Sequence, residues 1–343
     1  MRLLQAMAGA EVGGAEAFFV RLAIAFGATA LDQRVIIRRD AVRARALRNG
    51  GVDPVELPFG GRMDFRTRPA LQREIDRFKP DVVLSWMSRA TWATPKAQKP
   101  GAYKLIGRLG GYYDLKYYRH CDYLIGNTEE IVEHIAGQGF DRDKIIYLPN
   151  FVHPPSRPAI SRLGFDTPLD APLLLAMGRL HENKAFDVLL RTMTDLPDAW
   201  LWIAGEGPEA GELSQLAAEL GVDSRVRFLG WRDDSDALMQ ACDIFVCPSR
   251  QEPLGNIVLE AWAARKPVVA AAASGPAGLI GENEAGVIVP VDDSAALAEG
   301  IRTLSKDAAL AERLADEGHR RFEKNYTEQA VVDAYLKFFE QVT

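Results

Sequence analysis

Long hydrophobic runs are missing from this 343-residue chain: no apolar stretch approaches the roughly 18 residues of a membrane span. The opening Met1-Arg-Leu-Leu-Gln-Ala-Met7 is too short for a signal peptide and predicts a first strand instead. Cysteine is scarce. Cys121, Cys242 and Cys247 form no CxxC pair and leave one unmatched, which indicates neither a disulfide framework nor a zinc site and suits a reducing cytoplasm. There is no GxxxxGK[ST] phosphate loop, no repeat with a period of tens of residues and no low-complexity tract.

What is present is ordinary globular composition, 48% apolar and 26% charged, in a length that suits two domains, each able to bury its own core. The net charge of -6 hides an asymmetry. Lys plus Arg against Asp plus Glu is 24 to 17 over residues 1–160, net +7, and 17 to 30 over residues 161–343, net -13. A basic half suits an anionic acceptor or anionic membrane headgroups, and nucleic acid is disfavoured because no binding motif accompanies the charge.

Short apolar runs alternate with amphipathic stretches along the whole chain, the pattern of βαβ units and parallel sheets covered on both faces. Strands are predicted near Arg2–Met7, Asp81–Leu84, Tyr103–Gly107 and Asp122–Ile125 in the first half, and near Leu173–Met177, Ala199–Ala204, Ile244–Val246 and Val268–Ala270 in the second. Between Phe151 and Pro172 the pattern breaks, and five of the 19 prolines fall there. The expected organisation is an N-terminal Rossmann-like domain over 1–155, a Pro-rich linker over 156–172 and a C-terminal Rossmann-like domain over 173–326, the ligand-binding roles of the two resting on the motifs that follow. A last helix, 327–343, carries Val331, Val332, Tyr335, Phe338 and Phe339 at helical spacing and is placed to cap the second domain or pack back on the first. Two doubly wound α/β domains facing across a cleft would bring their ligand sites to the carboxyl ends of the strands.

The residues suited to chemistry sit at such strand ends. Arg179 and Lys184 lie in Gly178-Arg-Leu-His-Glu-Asn-Lys184, directly after a buried-looking strand. A planar guanidinium and a compact ammonium can neutralise a departing diphosphate without a metal. Glu252 and Glu260 lie in Glu252-Pro-Leu-Gly-Asn-Ile-Val-Leu-Glu260, a loop running into a helix. The backbone N–H groups of Leu254, Gly255 and Asn256 at the helix start suit phosphate, and Glu260, roughly 6 Å further along the axis, suits a ribose diol. Glu252, before the helix, suits the hydroxyls of a sugar. Gly13 and Gly14 form a second glycine turn before a helix, able to approach a diphosphate or acceptor, with Glu16 read as surface or structural. Gly205-Glu-Gly-Pro-Glu-Ala-Gly211 has one residue too many for a dinucleotide fingerprint, and Glu206 would repel a pyrophosphate. Asp141/Asp143 and Asp234/Asp236 read as solvated carboxylates rather than metal ligands. Tyr112, Tyr113, Tyr117, Tyr118, Trp86 and Trp92 lie among Arg89, Arg108, Lys116 and Arg119, and those not spent on core packing could face an acceptor or a membrane, as could Arg62-Met-Asp-Phe-Arg-Thr-Arg68.

Taken with Phe228-Leu-Gly230, Asp243–Ser249 and Gly13-Gly-Ala-Glu16, these motifs resemble the family 4 glycosyltransferases of the GT-B fold over nearly the whole chain. The resemblance implies a retaining, metal-independent hexosyltransferase with no cofactor, in which attack occurs on the front face without an enzyme nucleophile. It implies catalytic roles for Arg179, Lys184 and Glu252 at the diphosphate and donor sugar, Glu260 at the ribose, and Trp231, after Gly230, at the base. The expected partners are a nucleotide-sugar donor and a glycan or lipid-linked acceptor, in lipopolysaccharide or other surface-polysaccharide synthesis at the cytoplasmic membrane face. The chain departs from the family pattern at Ala185, where a glycine is usual, at Leu254, where an aromatic is usual, and at Arg108, near which many relatives carry a histidine. No catalytic histidine is assigned, and Arg108, Tyr112 and Tyr113 are assigned to the acceptor side. The competing readings are a sugar-nucleotide 2-epimerase of the same fold and a non-catalytic nucleotide-sugar-binding protein.

Overall fold

A computed structural model describes residues 1–11, 13–61, 64–97 and 101–343. Arg62 and Met63, part of the arginine-rich stretch singled out above, lie outside the described residues. The chain divides into two compact units, one formed by Met1–Phe151 with Glu328–Thr343 and the other by Val152–Thr327.

The first unit holds a parallel sheet of seven strands, β1 (Arg2–Met7), β2 (Asp32–Arg38), β3 (Val55–Leu57), β4 (Val82–Trp86), β5 (Lys104–Leu109), β6 (Tyr123–Gly126) and β7 (Ile145–Tyr147), in the order β3-β2-β1-β4-β5-β6-β7. The second holds six, β8 (Leu173–Met177), β9 (Trp200–Ala204), β10 (Val226–Phe228), β11 (Ile244–Cys247), β12 (Val268–Ala271) and β13 (Val287–Val289), in the order β10-β9-β8-β11-β12-β13. Inner strands such as β4 and β11 are buried at every position, because helices cover both faces and no face is left for water. In both sheets the chain winds one way from the first strand and then returns to wind the other way. The switch points therefore fall between β1 and β4 and between β8 and β11, and the loops leaving their carboxyl ends are where such sheets bind ligands.

The helix Glu328–Val342 packs on the first unit. Its buried stripe, Val331, Val332, Tyr335, Phe338, Phe339 and Val342, joins the core of Phe18, Phe26 and Phe151, with Tyr335 meeting Phe26 edge-on at 5.8 Å. Each such apolar side chain, fully buried, contributes about 1.5–3 kcal/mol, so this helix is an integral part of the unit.

The Pro-rich stretch differs from the expected linker. Val152 is in the core of the second unit, Ile160 and Phe165 pack against that core, and Thr167 accepts a hydrogen bond from the Trp202 indole at 2.9 Å. Arg162 donates to the Ala241 carbonyl and pairs with Asp243 at 2.6 Å. Proline removes backbone donors and so prevents regular structure, but it does not prevent burial. The segment is a strap fixed to the second unit, irregular apart from a 3-10 turn at Arg162–Phe165, and the first unit closes at Phe151 rather than at residue 155.

Candidate active site

In the second unit the loop after β8 is shaped by close backbone approach. A Cβ at Gly205 would fall 1.9 Å from the Gly178 carbonyl oxygen, so the loop after β9 can lie against it only with glycine there. The Gly178 N–H donates to Ala204 and the Leu180 N–H to Glu206, at 3.0 and 2.9 Å. Gly205-Glu-Gly-Pro208 is therefore a packing motif for the Arg179 loop. Beyond it, Glu206 accepts from the Trp231 N–H at 3.4 Å, and the Trp231 side chain is 69% exposed.

The loop after β11 is laced onto the same place. Arg250 grips Asp187 through two hydrogen bonds at 2.9 and 2.8 Å, pairs with Asp292 at 2.6 Å and donates to the Glu182 carbonyl. The backbone N–H groups of Arg250 and Gln251 both donate to the Asn183 carbonyl. Because β8 and β11 are neighbours, this lacing sets Glu252 beside Lys184, and their side chains form an ion pair. Arg179, exposed on the same loop as Lys184, makes no ion pair among the described residues.

Glu252 is also fixed through its backbone. Its carbonyl accepts from the Gly275 N–H at 2.8 Å, and a Cβ at Gly275 would fall 2.5 Å from that oxygen. Gly255 takes a left-handed φ of 64° and opens the helix Asn256–Ala263. Leu254 and Asn256 are half-buried at its start, and Glu260 is half-buried one turn on. Val258, Leu259 and Trp262 anchor the helix in the core, so Glu260 sits on its remaining face, with Glu252 in the loop before it.

Beneath the pair, the Cys247 thiol is pushed up to about 11, first by burial and then by the Glu252 charge. Cys242 is likewise pushed up to about 12 by burial, and burial raises Cys121. All three are buried neutral thiols rather than nucleophiles. Asp234 pairs with Arg232, Asp236 accepts from Ser156 and Arg157, and Asp141 pairs with Lys144. Among the described residues no group of three or more His, Cys, Asp or Glu side chains could hold a metal ion.

In the first unit, Gly13 and Gly14 precede and open the helix Gly14–Gly27. The loop before them is clamped at Ala10: its N–H donates to Glu16 at 2.7 Å, and its carbonyl accepts from Arg43, which also pairs with Asp40 at 3.2 Å. Glu16 is only 6% exposed, and it fills the space a side chain at Gly9 or Gly13 would need. It is structural, not a surface residue.

Arg108 is the clear correction. Assigned to the acceptor side, it is 1% exposed, with Nε donating to the Tyr335 hydroxyl at 2.7 Å and Nη2 to Asn150 at 2.6 Å. Its guanidinium lies over the rings of Phe18 and Trp86 at 4.7 and 4.5 Å. β5 is an inner strand, so a side chain from its end goes into the core, and a buried cation persists only with such partners. Tyr112 remains half-exposed against His134, whereas Tyr113 is half-buried and stacks on Tyr118. Burial, and then the charge of Glu16, raises the Tyr113 phenol above its ordinary value.

The residues missed from sequence are Arg250 with Asp187, the Ala10 clamp of Glu16 and Arg43, and Gly275. Gly275 left one signal, the small-residue run Ala270–Gly275 after a strand. Arg250 left none, because its role depends on which strands are neighbours.

Two doubly wound parallel sheets, with cations after the first strand of the second sheet and carboxylates after a neighbouring strand, define the class: a GT-B fold. The family pattern described as Glycosyltransferase Family 4 matches residues 12–154, and that described as Glycosyl transferases group 1 matches residues 162–321. The chain is 37% identical over 337 residues to the lipopolysaccharide core biosynthesis glycosyltransferase LpsE of Rhizobium meliloti, covering 95% of each chain. It is 34% identical to LpsD of the same organism, covering 99% of this chain and 98% of that one. Among solved structures, a glycosyltransferase from Rickettsia africae superposes with a TM-score of 0.88 at 18% identity, covering 99% of this chain and 98% of that one. Anabaena HepE in complex with UDP gives 0.87 at 20% identity, covering 99% of this chain and 100% of that one. The chain belongs to the family 4 glycosyltransferases and is an enzyme of that type.

Proposed function

We propose that this enzyme moves a hexose-like unit from a nucleotide-sugar to a lipopolysaccharide core acceptor, with retention of configuration and without a metal. Arg179 and Lys184 bind the diphosphate, Glu252 the donor sugar, Glu260 the ribose, and the backbone at Trp231 the base. Within the second unit, the helix start at Leu254–Asn256 offers N–H groups to phosphate; in the first unit, the Gly13–Gly14 turn is suited to a diphosphate or an acceptor. As the sugar–phosphate bond breaks, charge collects on the leaving diphosphate. Two cations held in place stabilise it by several kcal/mol, about what one or two oxyanion-hole donors achieve. The observation that carries this reading is the junction of the β8 and β11 loops, which sets the Lys184 ammonium against the Glu252 carboxylate. The likeness to LpsE and LpsD supports the acceptor class.

The acceptor's lipid end would bring the first unit to the cytoplasmic face of an anionic membrane. A groove of 320 Å³ there is lined by Phe59, Phe65, Arg68, Arg89 and Trp92, with Phe65 82% exposed, and combines apolar anchors with positive charge. No helix among the described residues is long and apolar enough to cross a membrane.

The test is transfer of radiolabelled sugar to truncated core acceptor by the parent enzyme, Lys184→Ala and Glu252→Ala. Turnover per folded molecule is expected to fall at least ~100-fold in both, with a lowered melting temperature because the remaining charge loses its partner. Unchanged turnover in both refutes the assigned roles. A donor converted to its isomer without acceptor would instead establish the epimerase. Flotation on anionic and neutral vesicles tests the groove: binding only the anionic ones, weakened by Trp92→Ala, is expected, and no binding to either removes the membrane contact.

A further inference from the structure

The Lys184 ammonium is paired with Glu252, whereas Arg179 is exposed and makes no ion pair among the described residues. The paired side chains are 25% and 13% exposed, so leaving either charge alone costs desolvation that nothing repays. Lys184 is the one cation paired with Glu252 among the described residues, and the floor beneath is the neutral, buried Cys247. A diphosphate that recruits Lys184 therefore strips Glu252 of its partner.

We propose that this pair makes the site discriminate between a nucleoside diphosphate and its sugar ester. The sugar ester supplies anions for Lys184 and, through its pyranose hydroxyls, hydrogen-bond donors for Glu252. The bare diphosphate supplies only the anions, leaving a half-desolvated carboxylate without a donor and close to another negative group. A site built to hydrogen-bond a hydroxyl rejects the ligand that lacks it. After transfer, Lys184 returns to Glu252 and the spent diphosphate is bound less tightly than the next donor. This proposal rests on the assignment of Lys184 and Glu252 to the donor site, and adds a role for their mutual contact.

Titration calorimetry of the parent, Glu252→Gln, Lys184→Met and the double variant tests it with UDP, GDP, ADP and their glucose or mannose esters. The comparison is read on whichever nucleotide the parent binds. Glu252→Gln is expected to bind the bare diphosphate about tenfold tighter than the parent, because the Lys184 ammonium no longer has to leave a charged partner. Its preference for the sugar ester over the diphosphate is expected to fall by about tenfold or more. In the Lys184→Met background the same substitution is expected to tighten diphosphate binding clearly less, because only the repulsion between carboxylate and diphosphate is relieved. Glu252→Asp, a shorter carboxylate that loosens the pair, should lie between parent and Gln and serves if the Gln variant melts early. Unchanged or weaker diphosphate binding in Glu252→Gln, or tightening just as large without Lys184, overturns the proposal alone. If the parent binds none of these nucleotides, the donor-site reading itself fails.

Discussion

Arg108 and Arg179 stand at comparable places, each at the carboxyl end of an inner strand, one in each unit, and they meet opposite fates. Arg108 is the next-to-last residue of β5, still in the pleat, and its guanidinium is consumed by Tyr335, Asn150 and two aromatic faces. Arg179 lies two residues beyond β8, past a glycine that the β9 loop presses against, and its side chain is exposed. A shift of a few residues along the chain separates a cation that holds a core together from one available to a ligand. The same contrast separates Glu16, whose carboxylate clamps a loop, from Glu252, whose carboxylate is paired with a mobile-stemmed lysine.

The contrast is sharpened most by two matched substitutions. Arg179→Met is expected to lower turnover by about 100-fold through the lost stabilisation of the leaving diphosphate, while its surface position leaves stability within about 0.5 kcal/mol. Arg108→Met is expected to do the reverse. It removes the Arg108 donors from the buried Tyr335 hydroxyl and Asn150 amide oxygen, a loss of about 2–4 kcal/mol in urea unfolding, with turnover per folded molecule preserved. If Arg108→Met removed turnover without loss of stability, the two arginines would have to exchange roles.

A smaller effect concerns the clamp that aligns the loops. Burial alone would raise the Asp187 carboxyl, but Arg250 more than offsets it and holds Asp187 below the ordinary carboxylate value. With the folded pKa below the unfolded one, the contribution to stability is full above the unfolded value and is lost as pH falls through the folded value. Urea midpoints followed from pH 7 down to pH about 3 should therefore fall less steeply in Arg250→Met than in the parent. Parallel curves would show that the Arg250–Asp187 contact carries no net coupling.

Much of the fold was legible because parallel strands buried on both faces are near-continuous apolar runs, as in Leu173–Met177 and Ile244–Cys247, which end in glycine or proline turns. The meeting of Lys184 and Glu252 was legible for a related reason: loops leaving neighbouring strands at a switch point meet, whatever their distance in sequence. Burial of polar groups was not legible. Nothing in Leu105-Ile-Gly-Arg108 distinguishes an arginine pointing into the core from one pointing at a ligand, since its partners Asn150 and Tyr335 are 42 and 227 residues away. Nor does proline content tell a free linker from a strap; Ile160, Phe165 and Thr167 decide that through contacts with the second core.

The most direct measurement is a crystal structure of the enzyme with a non-transferable donor analogue, read at one place. The diphosphate oxygens are expected within hydrogen-bonding reach, about 3 Å, of the Lys184 ammonium and the Arg179 guanidinium, with the pyranose hydroxyls on Glu252. A donor bound elsewhere, with Lys184 still paired to Glu252 and Arg179 facing solvent, would contradict the account.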